Sequence, residues 1–448
     1  MKKRVFGLLC LIFISPLVSA LDLIEAYERA KATDPSWQAN VLQYEADQLN
    51  LGIVKGNLLP IVTISGNVTY KNQELSDATV PGIPQINSDT LTSSSSTTQQ
   101  VMVSARQPIF RWDVWEKLKQ GKTSLNLSEI TLKLQKQEHI LTVAESYFNV
   151  LRQQSLTVAY LQEEKALLEQ LNMMSAKLRE GLVSKSDVSE ANAQYQSVKA
   201  NRIATHVQLI LAQEQLSQII GPYRENLAVL RDDFKFQKPI PEDLQAWLDL
   251  AQSQNLSIQQ ARIQYKYAED GLRVEKAARY PKIEAVGSYG LLTQSPESVG
   301  SPNGQFDQVG IEMNWNVYNG GITKKNIKKA KVNLSKADAL LDAALRKANT
   351  DVKKAYLQVE TDQTKLEARK AALESSMSVS KSAQAQYDEG LKTMVDVLLA
   401  QRNTFSSKQD YLNSKYDYLV NVLRLKASVG QLTEIDINEM NAWLIKAE

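Results

Sequence analysis

Residues 180–188 read EGLVSKSDV, and residues 389–397 read EGLKTMVDV. The two segments lie 209 positions apart and share Glu, Gly, Leu, Asp and Val at the same places. Long stretches without helix-breaking residues precede them, because residues 122–180 and 322–389 contain neither Gly nor Pro. Since Gly and Pro destabilise helix interiors, each stretch predicts a helix of roughly 90–100 Å, followed by a turn at the glycine and a second helix.

The repeated turn belongs to a duplication of the whole chain. Asp22 and Pro60 recur 221 residues later as Asp243 and Pro281. Farther along, the offset is 208 and then 209, and the shortening falls in a polar loop within residues 71–100. Each half therefore reads helix, strand, loop, strand, long helix, turn and helix.

Each half also contains two segments in which apolar and polar residues alternate. They lie at about residues 61–70 and 100–110, and at about 282–292 and 308–318. Strands of this length with one apolar face are typical of membrane β-barrels, and the long polar loops agree with that interpretation. The alternative is a small soluble sheet whose apolar face packs on a core. Four strands are too few to close a membrane barrel, so the first interpretation requires several copies of the chain.

The first twenty residues have the pattern of a targeting segment. A basic start at residues 2–4 precedes an apolar run, and Val-Ser-Ala at residues 18–20 supplies the small residues of a cleavage site. The apolar run is too short to span a bilayer as a helix. We therefore expect export, removal of residues 1–20, and a mature chain that begins at Leu21.

The composition excludes several kinds of chemistry. Cys10 is the only cysteine and lies in the targeting segment, so the mature chain has no thiol for catalysis or metal binding. His139 and His206 are the only histidines, and both fall in polar helical patterns, where we expect solvated or groove-facing positions. A net charge of +2 gives no basic excess for nucleic acid. Without a catalytic triad, metal-ligand spacing or phosphate loop, the sequence predicts neither an enzyme nor a cofactor or metal.

Four motifs carry a resemblance to a known family. Two mark the passages from strand to helix, Gln107-Pro108-Ile109-Phe110 and Val317-Tyr318-Asn319-Gly320-Gly321, and two are the turns within residues 180–188 and 387–397. With the duplication, this ordered set resembles the TolC-type outer-membrane efflux proteins (outer membrane factor family) over essentially the whole mature chain. The resemblance implies an α+β, predominantly α fold. The chain would be an internally duplicated subunit of a trimeric 12-stranded membrane β-barrel, continuous with a long periplasmic α-helical barrel.

The same resemblance implies a function and its partners. The protein would be the exit duct of a tripartite efflux pump or type I secretion system, exporting small molecules such as drugs, or proteins. It would lie in the outer membrane with a long periplasmic extension. Its partners would be two further copies of itself, a periplasmic adaptor (membrane fusion protein), an inner-membrane transporter of RND, ABC or MFS type, and outer-membrane lipid. Energy would come from the transporter, and no cofactor would be used.

The resemblance also assigns roles at the helix turns. The turn positions that would contact the adaptor are Gly181, Leu182, Gly390 and Leu391. A glycine at such a place is also an ordinary helix C-cap. The positions that match the links locking the closed tip are Ser186, Asp187, Tyr387 and Lys392. Lys392 stands where the family often has arginine, so a lock with Asp187 loses the bidentate geometry of a guanidinium.

Asp396 matches an acidic ring at the periplasmic entrance of the family's channels. Three carboxylates converging on a narrow pore favour cations and bind multivalent blockers. The alternative is a solvated aspartate that stabilises the start of a helix. The second acid of the family pattern is Leu399 here, which weakens the expected cation preference.

The predicted layout follows the duplication. Its segments are a targeting segment at 1–20; a first repeat at 21–221 with short helices, strands at about 61–70 and 100–110, a long helix at about 113–180 and a helix at 186–220; an equatorial linker at 222–242; a second repeat at 243–430 with strands at about 282–292 and 308–318, a long helix at about 322–389 and a helix at 393–429; and a C-terminal equatorial segment at 431–448.

Two other functions stay open at this point. A periplasmic coiled-coil adaptor or scaffold explains the long helices and the targeting segment. It does not explain four alternating strands or their polar loops. An exported enzyme has no support from any motif in the sequence.

Overall fold

The computed structural model describes residues 20–73, 94–231, 239–295 and 303–445. Residues 1–19 of the predicted targeting segment (1–20) and parts of both polar loops lie outside the described residues. So do residues 232–238 of the predicted equatorial linker and residues 446–448 of the predicted C-terminal segment. The predicted cleavage after residue 20 therefore stays a prediction. No helix among the described residues is long and apolar enough to cross a lipid bilayer.

The described elements are mostly helical. In chain order they are α1 (Leu23–Thr33), α2 (Pro35–Gly56), β1 (Ile61–Gln73), β2 (Ser94–Phe110), α3 (Trp112–Arg179), α4 (Lys185–Ile220), β3 (Val229–Leu230), α5 (Leu244–Gln254), α6 (Leu256–Ala277), β4 (Lys282–Ser295), β5 (Gly304–Asn314), α7 (Ile322–Asp388), α8 (Met394–Val429), α9 (Glu434–Asn441) and β6 (Leu444–Ile445). The two stretches without Gly or Pro fall almost entirely within α3 and α7, which have 68 and 67 residues.

The end of β5 differs from the sequence prediction. The alternation of apolar residues predicted a strand to about residue 318, but β5 ends at Asn314. The Trp315 indole nitrogen donates to the carbonyl of Arg279 at 3.1 Å, and the Val317 N–H donates to the carbonyl of Trp315 at 3.0 Å. These bonds turn the backbone out of the ladder before α7, so Val317 continues the sequence pattern but not the strand.

The chain divides into two compact units. Within the described residues, one unit falls in residues 20–43, 130–259 and 343–445, and the other falls in residues 44–129 and 260–342. We call them the core unit and the sheet unit, and we describe each by itself.

The sheet unit contains a four-stranded antiparallel sheet in the order β1-β2-β4-β5. Its register places the apolar alternation of all strands on one face: Ile64 pairs with Val103, and Val103 pairs with Tyr289. That face is uncovered, since Ile64 is 74% exposed and Val309 is 90% exposed. The described residues of the chain therefore supply no core for the apolar face of this sheet.

The opposite face of the sheet is polar and carries a charge ladder across three strands. Arg106 on β2 donates at 2.8 Å to Glu284 on β4 and at 2.8 Å to Glu312 on β5. Glu284 also accepts from Arg111 at 2.5 Å. Two carboxylates opposite each other in the register would repel, and the guanidinium groups offset that repulsion.

The core unit is built on buried aromatic and aliphatic side chains from both repeats. Tyr147 on α3 is fully buried, and its hydroxyl donates to the carbonyls of Leu21 and Ala228 at 2.9 and 3.0 Å. Trp247 on α5 is 2% exposed, and its indole nitrogen donates to the carbonyl of Pro241 at 2.7 Å. These bonds tie irregular backbone to α3 and α5 and satisfy carbonyls that would be costly to bury without a donor.

The duplication is visible in the caps of the core unit. Asp22 and Asp243, one in each repeat, cap α1 and α5 by accepting from backbone N–H groups three residues on, at 2.9 and 3.2 Å. At the other end of the second repeat, Gly430 closes α8 with φ +85°, a left-handed conformation that other residues rarely adopt. A Cβ at this position would lie 2.3 Å from the carbonyl oxygen of Gln254.

Replacing Gly430 with alanine is predicted to destabilise the protein by about 2 kcal/mol or more, because the strained φ and the backbone clash add together. The measurement is the apparent melting temperature of the detergent-purified protein. Gly52→Ala is the matched control, since Gly52 lies within α2 and a Cβ there would meet nothing within 4 Å. It should stabilise by about 0.5–1 kcal/mol. Equal melting temperatures for the two variants would contradict the assigned role of Gly430.

Candidate functional site at the helix turns

The turns α3–α4 and α7–α8 have the same backbone geometry. Gly181 and Gly390 adopt φ values of +73° and +75°. The Leu182 N–H donates to the Lys177 carbonyl at 2.9 Å, and the Leu391 N–H donates to the Gln386 carbonyl at 2.8 Å. Each glycine therefore closes its long helix with a Schellman motif, which satisfies the last carbonyls of the helix.

The helix that follows each turn starts with a capping box. The Asp187 carboxylate accepts from the backbone N–H and the hydroxyl of Ser184 at 2.9 and 2.7 Å. The Asp396 carboxylate accepts from the same two groups of Thr393 at 3.0 and 2.6 Å. In return, Ser184 and Thr393 accept the backbone N–H of their acids. Both acids thus stabilise helix N-termini. Within one chain, the contacts of Asp396 are those of a helix-capping aspartate.

These hydrogen bonds also determine the charge of both acids. They hold the pKa of the Asp187 carboxyl below its ordinary range, and hydrogen bonds from Thr393, together with the nearby Lys392 charge, do the same for Asp396. Both carboxylates are therefore ionised at neutral pH. Asp396 is exposed, and Leu399, three residues farther along α8, is 50% exposed. The first turns of α8 therefore expose one charged and one apolar side chain.

Tyr387 contacts the first long helix. Its hydroxyl donates to the sulfur of Met174 at 3.9 Å, and the Lys177 ammonium lies 5.0 Å from the centroid of its ring. Within the described residues its hydroxyl has no hydrogen bond to Asp187 or Ser186. The Tyr387 ring and Asp187 nevertheless line one cleft of about 570 Å³ between the two turns. The predicted locking links, including Lys392, stay a prediction.

Apolar packing holds the four helices together beside the turns. Met174 and Ala383 are fully buried, as is Val397, and Met394 is 4% exposed. The Gln170 side-chain amide donates to the Met394 sulfur at 2.7 Å. At the turns themselves, Leu182 and Leu391 are 72% and 73% exposed. Two apolar side chains are therefore presented to the surroundings at equivalent places.

Four residues of this site were not identified from the sequence. Two of them, the capping residues Ser184 and Thr393, have a sequence signal, because each hydroxyl stands three positions before an aspartate at a helix start. The contacts of Met174 and Lys177 with Tyr387 had no such signal, since they join residues more than 200 positions apart.

Comparisons with known proteins agree with this architecture. The sequence matches the family described as outer membrane efflux protein over residues 26–222 and 247–431. It is 30% identical to outer membrane protein TolC of Escherichia coli K12, over 96% of this chain and 87% of that protein. It is 24% identical to the alkaline protease secretion protein AprF of Pseudomonas aeruginosa, over 96% and 88% of the two chains.

Solved structures give the same fold. The Campylobacter jejuni CmeC outer membrane channel superposes with a TM-score of 0.78 at 17% identity, over 94% of this chain and 90% of that chain. The resemblance to TolC-type outer-membrane efflux proteins is confirmed. Transport, rather than catalysis, is what unites these proteins. The chain belongs to the outer membrane efflux protein family.

Proposed function

We propose that three copies of this chain form an outer-membrane duct, the exit of a tripartite efflux pump or type I secretion system. The observation that carries the proposal is the four-stranded sheet. Its apolar face is exposed, and in the described part of the chain each of its outer strands, β1 and β5, pairs on one side only.

The unpaired edges require a partner of the same kind. Strand edges in lipid leave N–H and C=O groups without water, and each such group costs several kcal/mol. Closing β1 of one copy onto β5 of the next satisfies both edges at once. Two copies would reach the eight strands of the smallest membrane barrels. Three copies, with 12 strands, are the number that the family resemblance implies.

The exposed face supports lipid as its surroundings. A soluble sheet buries its apolar face on a core, but Ile311 and Met313 on β5 are 73% and 63% exposed. This exposure argues against the soluble-sheet alternative and against a periplasmic scaffold, neither of which would leave so large an apolar surface in water.

The long helices offer a further surface for a second copy. On α4, Ile203, Val207 and Ile210 recur at intervals of four and three residues and are 45–49% exposed. Such a stripe matches helix packing between subunits. We propose that these helices form the periplasmic helical barrel.

The partners follow from the turns. Leu182 and Leu391, with the glycines before them, would contact the hairpin tips of a periplasmic adaptor, which connects the duct to an inner-membrane transporter of RND, ABC or MFS type. The cargo, small molecules or a secreted protein, would be selected by the transporter. The chain would be exported with removal of residues 1–20, and Leu21, which is fully buried, would begin the mature fold.

Purified full-length protein should insert into planar lipid bilayers and give long-lived, uniform conductance steps, because a closed barrel holds a permanent pore. Native mass spectrometry of the same sample should give three chains per particle. In fractionated cells the protein should need detergent for release. Release by high salt alone, without conductance steps from any preparation, would support the periplasmic scaffold instead.

Asp396→Asn is predicted to weaken block of the pore by trivalent cations on the order of tenfold, because the substitution removes one negative charge from each of the three copies at the entrance. The measurement is the blocking constant in single-channel recordings. Thr393→Ala is the matched control. It breaks the same capping box, costing about 1 kcal/mol of stability, but keeps the carboxylate and should keep the block.

Leu399→Asp should strengthen the same block, because it adds a second acid one helical turn on.

Since the pKa of Asp396 is lowered, block of the unchanged protein should persist on acidification through the ordinary aspartate range and disappear only below it. Unchanged block in Asp396→Asn would remove this residue from the pore entrance.

Tyr387 variants separate two kinds of lock. Tyr387→Ala should raise the resting conductance, because it removes the contacts with Met174 and Lys177. Tyr387→Phe keeps the ring and the cation–π contact but loses the hydroxyl. A conductance like that of the unchanged protein would assign the lock to the ring. A conductance like that of Tyr387→Ala would assign it to a hydroxyl bond, such as the predicted link to Asp187. Unchanged conductance in both variants would exclude Tyr387 from the lock.

A further inference from the structure

The start of α7 carries an unbalanced positive charge. Residues 313–337 contain six lysines and no acidic residue, although the net charge of the whole chain is only +2. Five of these lysines lie within the first ten residues of the helix. We call them the α7 lysine patch: Lys324, Lys325, Lys328, Lys329 and Lys331. All five are exposed, and none forms an ion pair with a residue that the structure describes.

The packing of α7 does not use the lysine patch. Ile327 and Ala330 are buried and pack with Leu272 of α6, and Leu334 packs against this cluster. The lysines lie on the remaining circumference of the helix. Their charge is also unfavourable for the helix, because the positive end of the helix dipole is at the N-terminus and the first turn contains no acidic residue. Contacts within the described chain therefore do not explain the patch.

The equivalent helix of the first repeat has a different charge pattern. At the start of α3, Asp113 accepts from the guanidinium of Arg111 at 3.0 Å, and the Lys119 ammonium lies 3.5 Å from a carboxylate oxygen of Glu116. Acidic and basic side chains are therefore mixed and paired there, whereas the start of α7 has basic side chains alone. The excess of charge on α7 is thus a property of the second repeat and not of the duplicated fold.

Exposed aromatic side chains lie at the end of the sheet from which α7 continues. They are Phe110, Trp112, Tyr280, Trp315 and Tyr318, and they are 38–85% exposed. The ring centroids of Phe110 and Trp112 are 6.4 Å apart, and those of Trp112 and Tyr280 are 6.2 Å apart. Trp315 and Tyr318 follow β5, and α7 begins four residues after Tyr318. The aromatic side chains, the lysine patch and the sheet all belong to the sheet unit.

The order of these surfaces along the chain matches a membrane boundary. Aromatic residues are enriched at the level of lipid head groups, where the ring meets both apolar and aqueous surroundings. The exposed apolar face of β5 precedes the aromatic residues, and the lysine patch follows them. Since an α-helix rises 1.5 Å per residue, the patch extends over roughly 15 Å from the start of α7. Lysine side chains near this level can contact lipid phosphates.

We propose that the α7 lysine patch binds the anionic head groups of the phospholipid leaflet around this end of the sheet. The inference rests on the proposed outer-membrane duct, because it requires the sheet to lie in lipid. Two observations select lipid as the partner. The patch complements the charge of an anionic head group, and it continues the exposed apolar and aromatic surface of the sheet. A water-soluble polyanion would match the charge but would leave the aromatic side chains without a role.

The test measures which lipid surrounds the protein. Full-length protein is reconstituted into vesicles of brominated phosphatidylcholine, whose bromine atoms quench nearby tryptophan fluorescence. Unbrominated phosphatidylglycerol, or unbrominated phosphatidylcholine as the matched control lipid, then displaces the quencher. Trp112, Trp115 and Trp315 report on this end of the sheet unit, where they are 42–53% exposed. We expect phosphatidylglycerol to bind at least about threefold more tightly than phosphatidylcholine, and high salt to remove the difference.

Two sets of substitutions on the same helix locate the binding. The patch variant combines Lys324→Gln, Lys325→Gln, Lys328→Gln and Lys329→Gln. The control variant makes the same change at four exposed lysines farther along α7, which are Lys353, Lys354, Lys365 and Lys370. Both variants remove the same charge, but only the patch variant should lose the preference for phosphatidylglycerol. Lys324→Gln with Lys325→Gln should lower the preference in part, and it replaces the patch variant if the latter does not assemble.

Conductance steps in planar bilayers separate this inference from the proposed duct. A protein that never inserts would overturn both. If the protein inserts, three results would overturn the lipid-binding role of the patch alone: equal binding of the two lipids, a preference that persists in the patch variant, or a preference that the control variant loses equally. An altered ion selectivity of the patch variant with an unchanged lipid preference would also overturn it and would place the lysines in the pore.

Discussion

The open edges of the four-stranded sheet constrain the rest of the molecule. Each edge strand presents a row of N–H and C=O groups, and in the lipid surroundings proposed for the apolar face beside them no water would pair with these groups. Among the described residues no further strand pairs with either edge, because the long strands of both repeats are already used in a single sheet. The proposed duct therefore depends on copies that complete the hydrogen bonding of one another. Membership of the outer membrane efflux protein family is consistent with a sheet whose edges and apolar face are completed by other copies in a lipid bilayer.

The duplicated turns show how one local structure can carry two roles. Ser184–Asp187 and Thr393–Asp396 form the same capping box, and Gly181 and Gly390 form the same C-cap. These bonds stabilise the turns in either repeat. The second repeat has Asp396 exposed on α8, where a channel entrance would use its charge. A capping role and a pore role are compatible, because the cap uses one carboxylate oxygen of Asp396 and keeps the group ionised.

The two histidines illustrate how little a local pattern says about burial. Both lie in polar helical sequence, and the expectation of a solvated or groove-facing position was the same for each. His206 is exposed on α4, whereas His139 is buried between Tyr27, Trp37 and Asp34. The neighbours of His139 lie about a hundred residues away in the chain. Their approach depends on how α1 and α2 pack on α3, which no short-range periodicity encodes.

The sequence alone determined the duplication, the long helices, both glycine turns and the alternation of the strands. The helices, turns and strands are local features, since they follow from stretches without Gly or Pro, from the glycines at 181 and 390, and from a period of two. The tertiary structure decided the matters that depend on distant contacts. It ended β5 at Asn314, placed Tyr387 against Met174 and Lys177, and buried His139 beside Asp34. It also left the apolar face of the sheet uncovered. Whether a patterned surface is covered depends on the packing of residues far apart in the chain, and sequence period carries no information about that packing.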